Sequence, residues 1–291
     1  MDLKLDTAAT VAWAKWRAER EISARAPHGP LSLAGTYWLD EGATVPGVPG
    51  RWRIGADGVT VTVSATEQLL IDGTLASGVR PLRPDTDPAP SAITHAGRKL
   101  LLIEREGAYA LRVFDPDAPE RGTFAGIAAF GYSPRWALPA SFHPYAGGER
   151  EVRVPHADGR ERGIPLAGEV TFWVDGVPRT LAVGRWEQGL DAVFSDTSAG
   201  TYRFRFLDLP TPDADGNTVA DFNRAYLPPC AFSDHYLCPF PPPGNALRFP
   251  VEAGERQVLR HPRVPAAAVS GWPLYPGESL PVREPWRTES P

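Results

Sequence analysis

The period of the hydrophobic residues constrains the fold most, because after a short opening segment it is two rather than helical. Gly58-Val59-Thr60-Val61-Thr62-Val63-Ser64 alternates β-branched apolar and polar residues, the pattern of a strand with one buried face. Residues 100–105 and 108–114 flank Glu106-Gly107, and residues 169–174 and 177–183 flank Asp175-Gly176. The second dipeptide is a type I′ turn signal, so both read as hairpins. Tyr202, Phe204 and Phe206 alternate with Arg203 and Arg205, which predicts one buried and one charged face. Further short strands are expected at 68–71, 123–130, 190–194 and 247–251. Repeated antiparallel hairpins predict a mainly β chain, an antiparallel β-barrel or sandwich, and not a βαβ fold.

Only the opening segment predicts a long helix. Asp6 or Thr7 caps a helix to about Ser23. Ala9, Trp13 and Trp16 share its apolar face, and Lys15, Arg17, Glu19 and Arg20 mostly face water. The two Trp dock the helix on the body. Ala26-Pro27-His28-Gly29-Pro30 ends it. From Pro262 onward, Pro265, Pro273, Pro276, Pro281 and Pro285 exclude long regular elements. Trp272, Tyr275 and Trp286 either pin this tail over the body or ride on a mobile arm. The expected organisation is an N-terminal helix (1–28), a single β-rich domain (29–262) and a Pro-rich C-terminal tail (263–291).

Composition narrows the function classes. A net charge of −5 argues against a nucleic-acid partner, which needs a basic surface. No stretch approaches the roughly 18–20 apolar residues that span a bilayer, and the N-terminal residues lack an apolar signal core, so the expected setting is the cytoplasm with no membrane partner. There the two cysteines are expected to stay reduced. The sequence contains no P-loop, no Gly-x-Gly-x-x-Gly turn between a strand and a helix, no His-Glu-x-x-His and no Gly-x-Ser-x-Gly elbow.

One segment, 221–245, is unlike the rest. It holds both cysteines, Cys230 and Cys238, with Asn223, Arg224, Tyr226, Asp234, His235, Tyr236 and Asn245 in a loop stiffened by prolines. Proline removes backbone freedom in advance, so such a loop is a pre-organised platform for polar groups. The stretch Phe222-Asn223-Arg224-Ala225-Tyr226-Leu227-Pro228-Pro229-Cys230-Ala231, followed by Cys238-Pro239-Phe240-Pro241-Pro242-Pro243-Gly244-Asn245, resembles the signature of a bacterial and archaeal family, domain of unknown function 1684. Weaker echoes of that family lie at 33–39, 111–115 and 194–197. The chain departs from the pattern at Leu227, Gly244 and Ala246, where the family usually carries Asn, Glu and Arg. The resemblance implies no established activity or cofactor.

Chemistry therefore carries the expectation. Cys230 and Cys238, with seven residues between them, fit neither a Cys-x-x-Cys redox pair nor a zinc knuckle. With Asp234 and His235 a metal site lacks four well-spaced ligands, and buried structural thiols are the simpler reading. Arg224 and Asn223, shaped by Tyr226, Tyr236 and Asn245, suit an anionic or carbonyl-bearing small molecule; equally, they tie the loop to strands beneath it. Asp234, His235 and Cys230 are the candidates for acid–base or nucleophilic hydrolysis. The expectation is an enzyme or binding protein for a small anionic metabolite. The alternatives are an interaction module docking through the Pro-rich loop and tail, and a flavin-binding β-barrel oxidoreductase. Asp196 reads as a turn cap, Arg112 as a solvent-facing strand residue, and His28, His95, His143, His156 and His261 as surface or loop residues, with His143 singled out in a short aromatic loop.

Overall fold

The structure is a computed structural model that describes residues 7–40 and 42–262. Helix α1 (Thr7–Arg25) opens it; the Asp6 cap and the tail from 263 lie outside the described residues. Trp13 donates its indole N–H to the Asn223 carbonyl at 3.0 Å, so the Trp stripe does face the body. Arg17 and Arg20 face it too, contrary to the sequence expectation. Arg17 donates to the Ile127 carbonyl at 2.7 Å, and Arg20 grips the fully buried Glu255 at 2.9 Å. A buried carboxylate and an open carbonyl draw these side chains inward, which helical spacing alone does not register.

The N-terminal half contributes β1 (Leu33–Trp38), β2 (Ala43–Val45), β3 (Val48–Gly55), β4 (Gly58–Val63), β5 (Leu70–Ile71), β6 (Thr74–Leu75), β7 (Gly78–Leu82), β8 (Ile93–His95), β9 (Arg98–Arg105) and β10 (Ala108–Phe114). They form two sheets, ordered β1-β10-β9-β8-β5-β6 and β2-β3-β4-β7. Both donate apolar faces to one core around Trp52, Val61, Leu100, Leu102 and Leu111, a sandwich. Glu106 and Gly107 both take left-handed φ, 50° and 78°, as a two-residue hairpin turn between β9 and β10 requires.

The second half contributes a short helix, α2 (Pro119–Thr123), and β11 (Phe124–Ala129), β12 (Ala137–Pro144), β13 (Arg150–Pro155), β14 (Glu161–Leu166), β15 (Gly168–Val174), β16 (Val177–Trp186), β17 (Gly189–Phe194), β18 (Arg205–Pro210), β19 (Asn217–Asp221) and β20 (Glu255–Arg260). Six of these form an antiparallel sheet ordered β18-β17-β16-β15-β12-β19. Its edge strands β18 and β19 meet, so the sheet curls into a nearly closed barrel. Asp175 and Gly176 have φ of 50° and 76°, confirming the predicted turn between β15 and β16. Alternation turns Leu190, Ala192 and Phe194 of β17 and Leu207 and Leu209 of β18 into the barrel core. Phe222 plugs it, edge-on to Phe172 at 5.3 Å and Phe194 at 5.4 Å. The pairs β11–β20 and β13–β14 stand outside the barrel.

Three strand expectations shift. The strand predicted around Tyr202–Phe206 begins only at Arg205. Residues 247–251 form no strand: Leu247 N–H donates to the Ser195 carbonyl at 2.8 Å from a loop. Arg205 is not on a solvent face; it is buried, ion-paired to buried Asp196 at 2.6 Å and donating to the Val251 carbonyl at 3.0 Å. Alternation separates two faces without saying which is wet, and here a buried carboxylate satisfies the guanidinium. Asp196 also caps its turn, accepting from Ser198 N–H at 2.8 Å, as expected.

Candidate functional site

The signature loop is fastened to the outside of the barrel by its own polar residues. Asn245 is fully buried; its Oδ1 accepts from Ala182 N–H at 2.8 Å, and its Nδ2 donates to the carbonyls of Ala182 and Val193 at 2.8 and 2.9 Å. Asn223, also buried, accepts from Ser133 N–H and donates to the Ser133 carbonyl, both at 2.9 Å, and to Asp221 Oδ1 at 2.9 Å. Both amides direct their donors into the fold, chiefly to backbone. Further along, Phe240 N–H donates to the Pro155 carbonyl and Ala157 N–H to the Cys238 carbonyl, each at 2.9 Å. These bonds lay the Cys-Pro stretch along the end of β13.

Of the remaining candidates, Cys230 and Tyr236 share one apolar cluster, and Arg224, Asp234 and His235 are not part of it. Arg224 is half-exposed and pairs with Asp221 at 3.3 Å. Asp234 and His235 are exposed; the His235 backbone carbonyl accepts from Thr36 Oγ1 at 2.7 Å. Among the described residues no three His, Cys, Asp or Glu side chains gather to hold a metal. Cys230 and Cys238 are both buried and neighbour each other, with Tyr236 and Phe240 around them. Arg112 is not solvent-facing: it lies partly buried over the Tyr236 ring at 5.3 Å. His156 is likewise buried rather than at the surface, with Nδ1 3.0 Å from the Val154 carbonyl, and burial lowers its pKa. His143 is exposed within β12, not in a loop.

The loop walls a cleft that sequence reading missed. Between β14, the outer side of β16 and β17, and the loop lies a cleft of about 150 Å³, bordered by Pro165, Arg185, Asp191, Val193, Pro239 and Pro242. Asp191 stands directly opposite Gly184 on β16 and Asp208 on β18. A Cβ at Gly184 would meet Asp191 Oδ1 at 2.7 Å and the Pro165 carbonyl at 3.2 Å, so glycine is what lets the carboxyl lie against the strand. Larger depressions among the described residues lie beside Arg121 (about 470 Å³), Arg51 (about 550 Å³) and Arg80 (about 240 Å³). The first two border one carboxylate each and the third none, and none of the three touches a signature residue.

Two carboxylates directly opposite on neighbouring strands repel, which is destabilising unless a proton or a donor intervenes. The partners here are unequal. Tyr226 donates its hydroxyl to Asp208 at 3.0 Å, and Arg20 lies 4.8 Å above the Tyr226 ring. Asp208 is exposed, yet partial desolvation by its neighbours raises its pKa, opposed by Tyr226 and Arg20. Burial also raises that of Asp191, and the Asp208 charge adds to it. Burial and the Asp208 carboxylate hold Tyr226 protonated, as a donor. Asp208 is therefore the carboxyl that ionises first, and Asp191, facing the cleft with no cation bonded to it among the described residues, keeps its proton to higher pH. Asp191 and Asp208 each sit between apolar strand neighbours, and only the β17–β18 register reveals the pair.

No curated protein matches the chain. A solution NMR structure of an uncharacterized protein of Haloarcula marismortui is similar at 31% identity over 46% of this chain and 77% of that one, with a TM-score of 0.38. The model of the family described as "Protein of unknown function (DUF1684)" matches residues 122–256, which hold every barrel strand, the loop and both aspartates. The echoes at 33–39 and 111–115 fall outside that match. Through its barrel and its Cys-Pro loop, this chain belongs to the DUF1684 family.

Proposed function

We propose that the protein is an enzyme whose general acid–base is Asp191, acting on a small anionic or carbonyl-bearing metabolite whose charged or polar end is held by Arg185. The reading keeps the hydrolytic chemistry expected from sequence and moves it from His235, Asp234 and Cys230 to the cleft. One observation carries it: a carboxyl raised in pKa by burial and by the facing Asp208 borders a cleft walled by the family signature. Protonated carboxyls of this kind donate a proton to a departing or carbonyl oxygen and take one back from water. Asp208 is a positioning residue, its charge adding to burial in holding the proton on Asp191. A cleft of about 150 Å³ lies below the roughly 300–1,000 Å³ that encloses a drug-sized ligand, which favours a small substrate.

A thermal-shift screen of carboxylates, phosphates and esters tests this, using the parent, Arg185→Ala and Asp191→Asn. The expected ligand stabilises the parent and Asp191→Asn but not Arg185→Ala. Its turnover falls roughly 10²–10⁴-fold in Asp191→Asn. A ligand whose shift survives both substitutions and is lost in Arg224→Ala would move the site to the exposed loop.

A further inference from the structure

The buried thiol pair is unused by the proposed chemistry and has its own machinery. Cys230 N–H donates to Cys238 Sγ at 3.3 Å. The Tyr202 hydroxyl lies 3.6 Å from Cys230 Sγ and 3.2 Å from its carbonyl. Val193, Phe204, Tyr236 and Phe240 enclose the pair, and Arg203 lies 4.4 Å over the Phe240 ring. The only two cysteines of the chain are thus neighbours across an eight-residue separation, held by a proline-stiffened loop, and neither is bonded to the other.

We propose that Cys230 and Cys238 form a peroxide-reactive dithiol, with Cys230 the attacking thiolate and Cys238 the resolving thiol. The Cys230 sulfur attacks one oxygen of hydrogen peroxide, the O–O bond breaks, and hydroxide leaves, taking up the proton that Cys230 has lost to become water. Cys230 is then a sulfenic acid. Cys238 attacks that sulfur, the S–O bond breaks, and a second water leaves as the disulfide forms. In sum two thiols lose two electrons and two protons, and one peroxide becomes two waters. The environment sorts the roles. The neighbouring Cys238 thiol, the Tyr202 hydroxyl and the Arg203 charge lower the Cys230 thiol against burial, while Cys230 and burial push Cys238 up. The near-closed surroundings, with Cys230 5% exposed, favour a water-sized oxidant over a bulky disulfide.

The test treats the reduced full chain with hydrogen peroxide under native conditions and maps peptides by mass spectrometry. The parent is expected to lose both thiols into one Cys230–Cys238 cross-link. Cys238→Ser is expected to stop at a sulfenic acid on Cys230 that dimedone traps, and Cys230→Ser to leave Cys238 reduced at the same dose. Tyr202→Phe is expected to slow oxidation about tenfold, the effect of losing one hydrogen bond to a charged group. A native parent that keeps both thiols while the urea-unfolded chain loses them overturns the proposal. So does equal oxidation of the remaining cysteine in the two single variants. The parent result stands without any variant and is independent of the Asp191 cleft.

Discussion

Gly184→Ala probes the seat of the Asp191 carboxyl directly. The added Cβ would come within 2.7 Å of Asp191 Oδ1 and 3.4 Å of its Cγ, with the Pro165 carbonyl next at 3.2 Å. The Gly184 backbone is not among those with positive φ, so the penalty is steric and not conformational. Overpacking at such a site costs about 1–3 kcal/mol, and the lower chain entropy of alanine in the unfolded state returns about 0.4–1 kcal/mol. A net destabilisation of about 1–2 kcal/mol is expected. In an Asp191→Ala background the carboxyl is gone and only the contact with Pro165 remains. The same glycine substitution then becomes close to neutral, a coupling of about 1–2 kcal/mol. Urea unfolding of the parent, both single variants and the double variant, followed by Trp fluorescence, measures the cycle. An equal cost of Gly184→Ala in both backgrounds would refute the argument that glycine is there to admit the carboxyl.

Asp191→Asn is expected to raise thermal stability at pH 7–8. A carboxyl whose folded pKa is raised contributes stability below its unfolded value and loses it as pH rises through the folded one, so the gain should fade towards pH 3 in melts across that range. Arg205→Met leaves Asp196 buried and unpaired and is expected to destabilise by about 3–5 kcal/mol, seen as a lower urea midpoint. Phe222→Ala, which empties the barrel plug, is expected to cost about 3–5 kcal/mol, checked the same way. Asn245→Ala strips partners from the backbone of Ala182 and Val193. It is expected to cost about 1–3 kcal/mol and to accelerate proteolysis of the Cys-Pro loop.

Much of the architecture was legible because it rests on local rules. Asp175-Gly176 fixes its turn through positive φ, and Val59, Val61 and Val63 announce a buried face. The inward turn of Arg205 was not legible, since its alternation with Tyr202, Phe204 and Phe206 is the same whether the charged side meets water or a buried Asp196. The signature loop was found from residue types, but its purpose was not. Asn223 and Asn245 are as suited to a ligand as to a backbone amide, and only the fold shows that they staple the loop. Asp191 and Asp208 left a faint trace: Leu190-Asp191-Ala192 and Leu207-Asp208-Leu209 each read as a strand with one polar residue outward. Their meeting depends on the register of β17 against β18, which no local pattern encodes.

The central claim is that Asp191 holds its proton because it is buried and because Asp208 faces it. Carbon-13 NMR of the aspartate carboxyls across pH, in the parent and in Asp208→Asn, tests it most directly. The account predicts that Asp191 titrates above the ordinary carboxylate range in the parent and moves back towards it when the Asp208 charge is removed. An Asp191 that titrates at the ordinary value in both proteins would contradict the account.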